Sequence, residues 1–208
     1  MEYPDIESLC LKLGAAPTEL KSDGRPHYTL PVIYDASTKK AISESAAIAK
    51  YLDETYPDTP QLFPDGTAAL QAVFLDGVWA AFGLPLFMII ISRVCKGLNP
   101  PSEEYFRRTR EAKFGAKLEE LNTPDQWVAL EAGLAKLDRW LSANGPGKDE
   151  LFLGDRISFA DVQVAGILVW GKITFGEGSE EWQKIISWNG GRWKRLLERF
   201  DQYAKVGL

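Results

Sequence analysis

The chain has 208 residues, 45% of them hydrophobic and 25% charged, with a net charge of −5 and a pI near 5.1. That content supports a sizeable core, and the acidic balance argues against a nucleic-acid-binding face. Two cysteines, Cys10 and Cys95, and one histidine, His27, leave no basis for a disulfide framework or a metal cluster, and a reducing, cytoplasmic setting is expected.

The opening segment, MEYPDIES, lacks the basic start and apolar stretch of a leader peptide, and none is expected. Glu2-Tyr3 reads as the end of a strand. Asp5 is placed to cap a helix carrying Ile6, Leu9, Cys10 and Leu13, which Gly14 stops. Cys10 lies on that apolar stripe and reads as a small buried hydrophobe, since nothing nearby in sequence would lower its thiol pKa. Residues 15–29 read as a loop broken by Pro17, Gly24 and Pro26. Its His27, Lys21 and Arg25 are candidates to meet a ligand carboxylate, set against the ordinary reading of loop charges as solvated.

LPVIYDASTKKAISES, from Leu30 to Ser45, carries the strongest functional signal. Val32, Ile33 and Tyr34 suit a strand, Asp35 to Lys39 supply turn chemistry, and Ala41-Ile42 forms a second strand leading to Ser43-Glu44-Ser45 and a helix. A cis Leu30-Pro31 bond would leave the Leu30 N–H and C=O facing outward, where an extended peptide can pair with them. Ser45 and the first N–H groups of the helix form an anion site, and Glu44 offers a carboxylate to an ammonium group. A ligand with a peptide-like middle and an α-amino-carboxylate end suits both features. Taken alone, the serine and glutamate read as nothing more than a helix cap.

The helix after Ser45 is expected to reach Tyr56, with Ile48 and Leu52 inward, and to stop at Pro57. Residues 57–66, PDTPQLFPDG, read as a linker between residues 1–56 and a helical domain over 67–208. Ala68 to Cys95 is the most apolar stretch, and its 16 uncharged residues between Asp76 and Arg93 are shorter than a membrane span requires. Pro85 should kink this helix. Trp79, Phe82, Phe87 and Met88 are candidates to line a hydrophobic pocket, although helical spacing more often places an aromatic side chain in the core.

Ser102 to Lys113 reads as a charged helix, and Asp125 to Ser142 as one with Val128, Leu130, Leu134, Leu137 and Leu141 at helical period. In FLGDRISFADVQVAGILVW, Ser158 and Asp161 have capping-box spacing. Trp182, Trp188 and Trp193 surround an Asn189-Gly190-Gly191 break before a terminal helix from about Arg192 to Tyr203.

In order and spacing, LPVIYDASTKKAISES together with GDRISFAD resembles the glutathione transferase family. The wording ISESAAIAKYLDETYP is most similar to fungal members related to the bacterial β-etherases. The resemblance implies an α/β thioredoxin-like N-terminal domain followed by an all-α domain. It further implies that Leu30, after which Pro31 is cis, pairs with the cysteinyl backbone of glutathione while Glu44 and Ser45 hold its γ-glutamyl end. The family's first strand and helix, which carry the thiol-activating Ser, Cys or Tyr, have no counterpart in this sequence, so no residue matches the catalytic position. By the same resemblance the acceptor site adjoins the helix bearing Trp79 and Phe87, and Asp161 starts a core helix. Expected partners are glutathione as co-substrate, a small hydrophobic or aromatic electrophile and a second copy of the chain, with no metal, nucleic acid or membrane. The alternative is a non-catalytic ligand-binding or interaction protein on the same fold.

Overall fold

A computed structural model describes residues 1–21 and 23–203. The chain divides into two compact units. Unit 1 comprises Met1–Phe63 and Gly97–Phe114, and unit 2 comprises Pro64–Lys96 and Gly115–Leu208.

Unit 1 begins with a 3-10 turn, Tyr3–Asp5, where the sequence suggested the end of a strand. Pro4 favours the turn because it has no N–H to give a ladder. Helix α1 (Ile6–Leu13) follows, ending at Gly14 in the left-handed conformation, φ 70°, as expected. Asp5 does not cap α1 with its side chain. Its Oδ2 accepts instead from the Glu2 N–H (3.1 Å). Cys10 is buried, whereas Leu9 is half turned to solvent. Residues 15–29 are not wholly loop: β1 (Glu19–Leu20) pairs antiparallel with β2 (Pro26–His27) around the Gly24 turn.

A second antiparallel pair, β3 (Val32–Asp35) and β4 (Lys40–Ser43), runs in the register Val32 to Ser43 and Asp35 to Lys40. Helix α2 (Ser45–Thr55) packs along it, with Ile48 and Ala49 buried. Leu52, expected inward, is 40% exposed, so the apolar face of α2 is narrower than its sequence suggests. The later segment of unit 1 is helix α5 (Pro100–Phe114), whose Phe106 is buried beside Tyr3. Ser102, on α5, ties the N-terminus down. Its hydroxyl donates to Glu2 Oε2 (2.5 Å) and accepts from the Tyr3 N–H (2.8 Å), and Asn99 also donates to Glu2. The Ser102 hydroxyl, then the Asn99 amide, hold the Glu2 carboxyl below its ordinary range.

Unit 2 is helical. Helix α3 (Ala68–Val78) continues through a π-helical turn, Trp79–Gly83, into α4 (Leu84–Lys96). The expected disturbance at Pro85 takes this form: the wider turn precedes the proline, which has no N–H to give the Ala81 carbonyl. By length and composition alone this 29-residue run could cross a membrane, but its buried residues Val78, Phe82, Leu86, Ile89 and Ile90 belong to the core of unit 2.

That core is completed by α6 (Pro124–Ser142), α7 (Phe159–Phe175) and α8 (Glu180–Phe200). Leu130, Leu134, Leu137 and Leu141 of α6 are buried as their period requires, but Val128 is 68% exposed. Within α8 the backbone leaves the helical region from Trp188 to Gly191, at the expected break, and the second half ends at Phe200, short of Tyr203. Arg192, just past the break, is bonded through Nε to Asp138 of α6 (2.5 Å) and through Nη2 to Asp149 (2.9 Å).

The capping box at the start of α7 is present and buried. Asp161 Oδ2 accepts from the Ser158 N–H (2.8 Å) and hydroxyl (2.7 Å), and Oδ1 from the Phe152 N–H (2.9 Å). Burial outweighs these donors and pushes the Asp161 carboxyl above its ordinary value.

Candidate functional site

Between β3 and β4, Asp35 Oδ1 accepts from the N–H groups of Ser37 (2.8 Å) and Thr38 (3.4 Å), so the turn closes on its first residue. At the opposite end of the ladder the Leu30-Pro31 peptide is cis, and the Pro31 carbonyl accepts from the Glu44 N–H (3.3 Å). Leu30 and Glu44, 14 positions apart in sequence, are thereby brought to one corner. Leu30 is 46% exposed, and among the described residues none bonds to its main chain.

Ser45 is not the cap of α2 but its first helical residue. Glu44 occupies the cap position at φ 79° and ψ 126°, without a side-chain hydrogen bond to the helix. Its carbonyl accepts from the Ile48 N–H (2.8 Å), while its carboxylate is exposed. A helix cap therefore does not account for Glu44, which stands at a helix N-terminus with its main chain bonded to the residue after Leu30. Non-glycine residues hold such a conformation only where the surrounding structure over-determines it, and functional sites are where this clusters. The neighbouring Ser43 hydroxyl donates to the Ala16 carbonyl (2.8 Å), fixing β4 to the preceding loop.

Each of the three loop candidates is paired with a carboxylate of this unit. His27 Nδ1 donates to Glu19 Oε1 (2.8 Å) across the β1–β2 pair, Lys21 pairs with Glu7 (3.1 Å), and Arg25 with Asp23 (2.6 Å). A ligand carboxylate would compete with these partners for the same groups. His27 nonetheless shares with Leu30, Tyr28, Tyr105 and Arg110 the wall of a cleft of about 370 Å³ within unit 1.

Trp79 and Phe87 lie in unit 2, with ring centroids 6.2 Å apart, and Phe87 continues to Trp170 at 5.4 Å. The four apolar candidates of this helix do not share one fate. Phe82 is fully buried core and not a pocket wall, Phe87 and Met88 are half-buried, and Trp79 is 43% exposed. The Trp79 ring lies over Gly83, where a Cβ would stand 2.6 Å from it, so the ring covers the π turn from outside.

Sequence reasoning missed a cluster at the hairpin turn. Asp35 Oδ2 accepts from the Tyr51 (2.5 Å) and Tyr56 (3.2 Å) hydroxyls, which rise from α2 and its end. An acidic residue at a strand end reads as turn chemistry, and nothing in the local pattern shows that two tyrosines converge on it. Among the described residues no group of three or more His, Cys, Asp or Glu side chains is placed to hold a metal ion.

Comparison with known proteins accords with this geometry. Residues 5–60 match the glutathione S-transferase N-terminal domain, and residues 69–203 the glutathione S-transferase C-terminal domain. A glutathione S-transferase-like protein of Aspergillus flavus, ustS, is 31% identical over 98% of this chain and 76% of its own length. A glutathione transferase structure from Phanerochaete chrysosporium superposes with a TM-score of 0.97 at 50% identity, covering all of this chain and 83% of that one. A glutathione S-transferase of Ceriporiopsis subvermispora, solved in complex with glutathione, has a TM-score of 0.95 at 45% identity over all of this chain and 84% of that one. A thioredoxin-like N-terminal region with small sheets, followed by a helical domain, is the architecture these proteins share, and the chain belongs to the glutathione S-transferase family.

Proposed function

We propose that this protein binds glutathione at the Leu30–Glu44 corner and presents its thiol to hydrophobic or aromatic electrophiles, by conjugation or by glutathione-dependent ether cleavage, in detoxification. The observation that carries the reading is Glu44. It holds φ 79° at a helix start, its N–H is bonded to the carbonyl of the cis proline, and its exposed carboxylate is not used as a cap. The cysteinyl backbone pairs with the Leu30 main chain, the γ-glutamyl ammonium meets Glu44, and its carboxylate meets Ser45 and the first turn of α2. The glutathione-bound relative from Ceriporiopsis subvermispora supports this ligand. Positioning of the thiol is the contribution of these residues to rate. An assembly of two chains in the cytoplasm, with Trp79 and Phe87 lining the acceptor site, completes the reading.

Thermal unfolding with and without millimolar glutathione tests it. At roughly 10–100 times the dissociation constant, linkage predicts a stabilisation of about 1.4–2.7 kcal/mol. That is several degrees for a domain of this size, and it is lost in Glu44→Ala. A melting curve indifferent to glutathione would remove the ligand assignment. Turnover of an aromatic electrophile alongside the shift makes the protein an enzyme, whereas a shift without product identifies the non-catalytic ligand-binding alternative.

A further inference from the structure

Asp35 stands at the end of the β3–β4 ladder opposite the ligand corner, four to five residues along the strands and roughly 13–17 Å from it. Its Oδ1 serves the turn, through the Ser37 N–H and hydroxyl and the Thr38 N–H. Its Oδ2 serves α2, through Tyr51 and Tyr56, and the Tyr51 hydroxyl is also 2.6 Å from Thr38 Oγ1. The Ser37 hydroxyl, then that of Tyr51, hold the Asp35 carboxyl well below the usual carboxylate range, so the cluster is built around a full negative charge at neutral pH.

Helix α2 is thus joined to the hairpin twice, covalently through Glu44 at its start and through Asp35 near its end. With the helix fastened at one of these points only, the apolar packing of Ile48 and Ala49 along the hairpin holds the angle loosely. Fastened at both, it is set, and Glu44 lies at the vertex with φ 79°. We propose that Asp35 is a positioning residue for glutathione: by clamping Tyr51 and Tyr56 to the hairpin turn it fixes the angle between α2 and β4, and so holds Glu44 and the first turn of α2 in place against the Leu30 main chain. This rests on the reading of that corner as the γ-glutamyl site. With the clamp released, α2 pivots about Glu44, the strained backbone relaxes, and the two halves of the site separate although no ligand contact has been removed.

Calorimetric titration with glutathione of the wild-type chain, Asp35→Asn, Tyr51→Phe and the double variant tests this, with a melting curve for each. Tyr51→Phe removes a single hydroxyl and carries the test where Asp35→Asn melts too low. Each single variant is expected to raise the glutathione Kd roughly three- to tenfold. The double variant should bind no worse than the weaker single, because both act through one clamp. Amide exchange at Ile48, whose N–H is bonded to the Glu44 carbonyl, should quicken in the free variants. Asp53→Asn is the control for general loosening, since Asp53, on the same helix, accepts from the Leu62 and Phe63 N–H groups beyond it without touching the clamp. An equal rise in Kd there, an unchanged Kd in folded Tyr51→Phe, or fully additive losses overturn the positioning role and leave the ligand site standing. No glutathione binding by the wild-type chain overturns the site reading and the positioning role together.

Discussion

Gly133→Ala should be among the most damaging single-methyl changes available in unit 2. A Cβ at Gly133 would lie 2.0 Å from the Ala81 carbonyl oxygen, 2.6 Å from its carbon and 3.1 Å from Phe82 Cβ. The obstacle is backbone, so no side-chain rotation relieves it. Helix α6 and the π turn must move apart, and the leucine core they share with α4 opens with them. Overpacking of this kind costs about 3 kcal/mol or more, equivalent to a fall in Tm of roughly 6–12 °C. Gly166→Ala on α7 is the internal comparison. Nothing lies within 4 Å of that Cβ, so replacing a mid-helix glycine there should stabilise by about 0.5–1 kcal/mol. Differential scanning calorimetry of both variants checks the pair: similar melting temperatures would show that α6 and the π turn are not in hard contact.

Asp161→Ala should be comparably severe, for a chemical reason. The carboxylate is fully buried and is the acceptor for the Phe152 N–H, the Ser158 N–H and the Ser158 hydroxyl. Removing it leaves two backbone donors without an acceptor at the start of a core helix, at about 1–3 kcal/mol each, a total of roughly 2–6 kcal/mol. Urea denaturation should show this as a lower midpoint with the slope retained.

The pH dependence has a definite sign. Burial raises the folded-state pKa of Asp161 above its ordinary 3.8. The folded protein therefore binds this proton more readily than the unfolded chain does, and the contribution to stability is fully present below 3.8 and lost as pH rises through the folded-state value. The partly buried Glu2, Asp149, Glu150 and Glu181 are shifted downward and act oppositely, losing their contribution as pH falls. The stability difference between wild type and Asp161→Asn isolates the buried group. It should grow in favour of wild type on acidification and level off below 3.8. A difference that does not vary with pH would mean that Asp161 titrates alike in both states.

Much of the fold is legible in local pattern. Gly14, the Asp35–Lys39 turn, the Ser158-Asp161 box and the Asn189-Gly190-Gly191 break all act within a few residues, through φ preferences and short-range hydrogen bonds, and each lies where its chemistry places it. Leu30, Pro31, Glu44 and Ser45 were legible as a group for the same reason, since an X-Pro step, a hairpin and a helix start bring them to one corner. Pro85 announced a disturbance too, although not that a π turn ahead of it would absorb the missing donor.

What only the tertiary structure decided are the matters of company. Helical period treats Phe82 and Trp79 alike, yet α6 covers the first and leaves the second over Gly83 at the surface. Leu52 and Val128 satisfy the apolar period of their helices and are exposed because no neighbouring element reaches them. His27 reads as an open ligand group until Glu19 is found across a two-residue ladder, and Asp35 as a turn former until Tyr51 and Tyr56 arrive from the following helix. The sequence by itself determined most of the helices, the β3–β4 hairpin and the corner that holds Glu44. Which side chains are buried, paired or left exposed was settled by packing, because burial and pairing depend on segments distant in sequence coming to lie side by side, and no local preference encodes that distance.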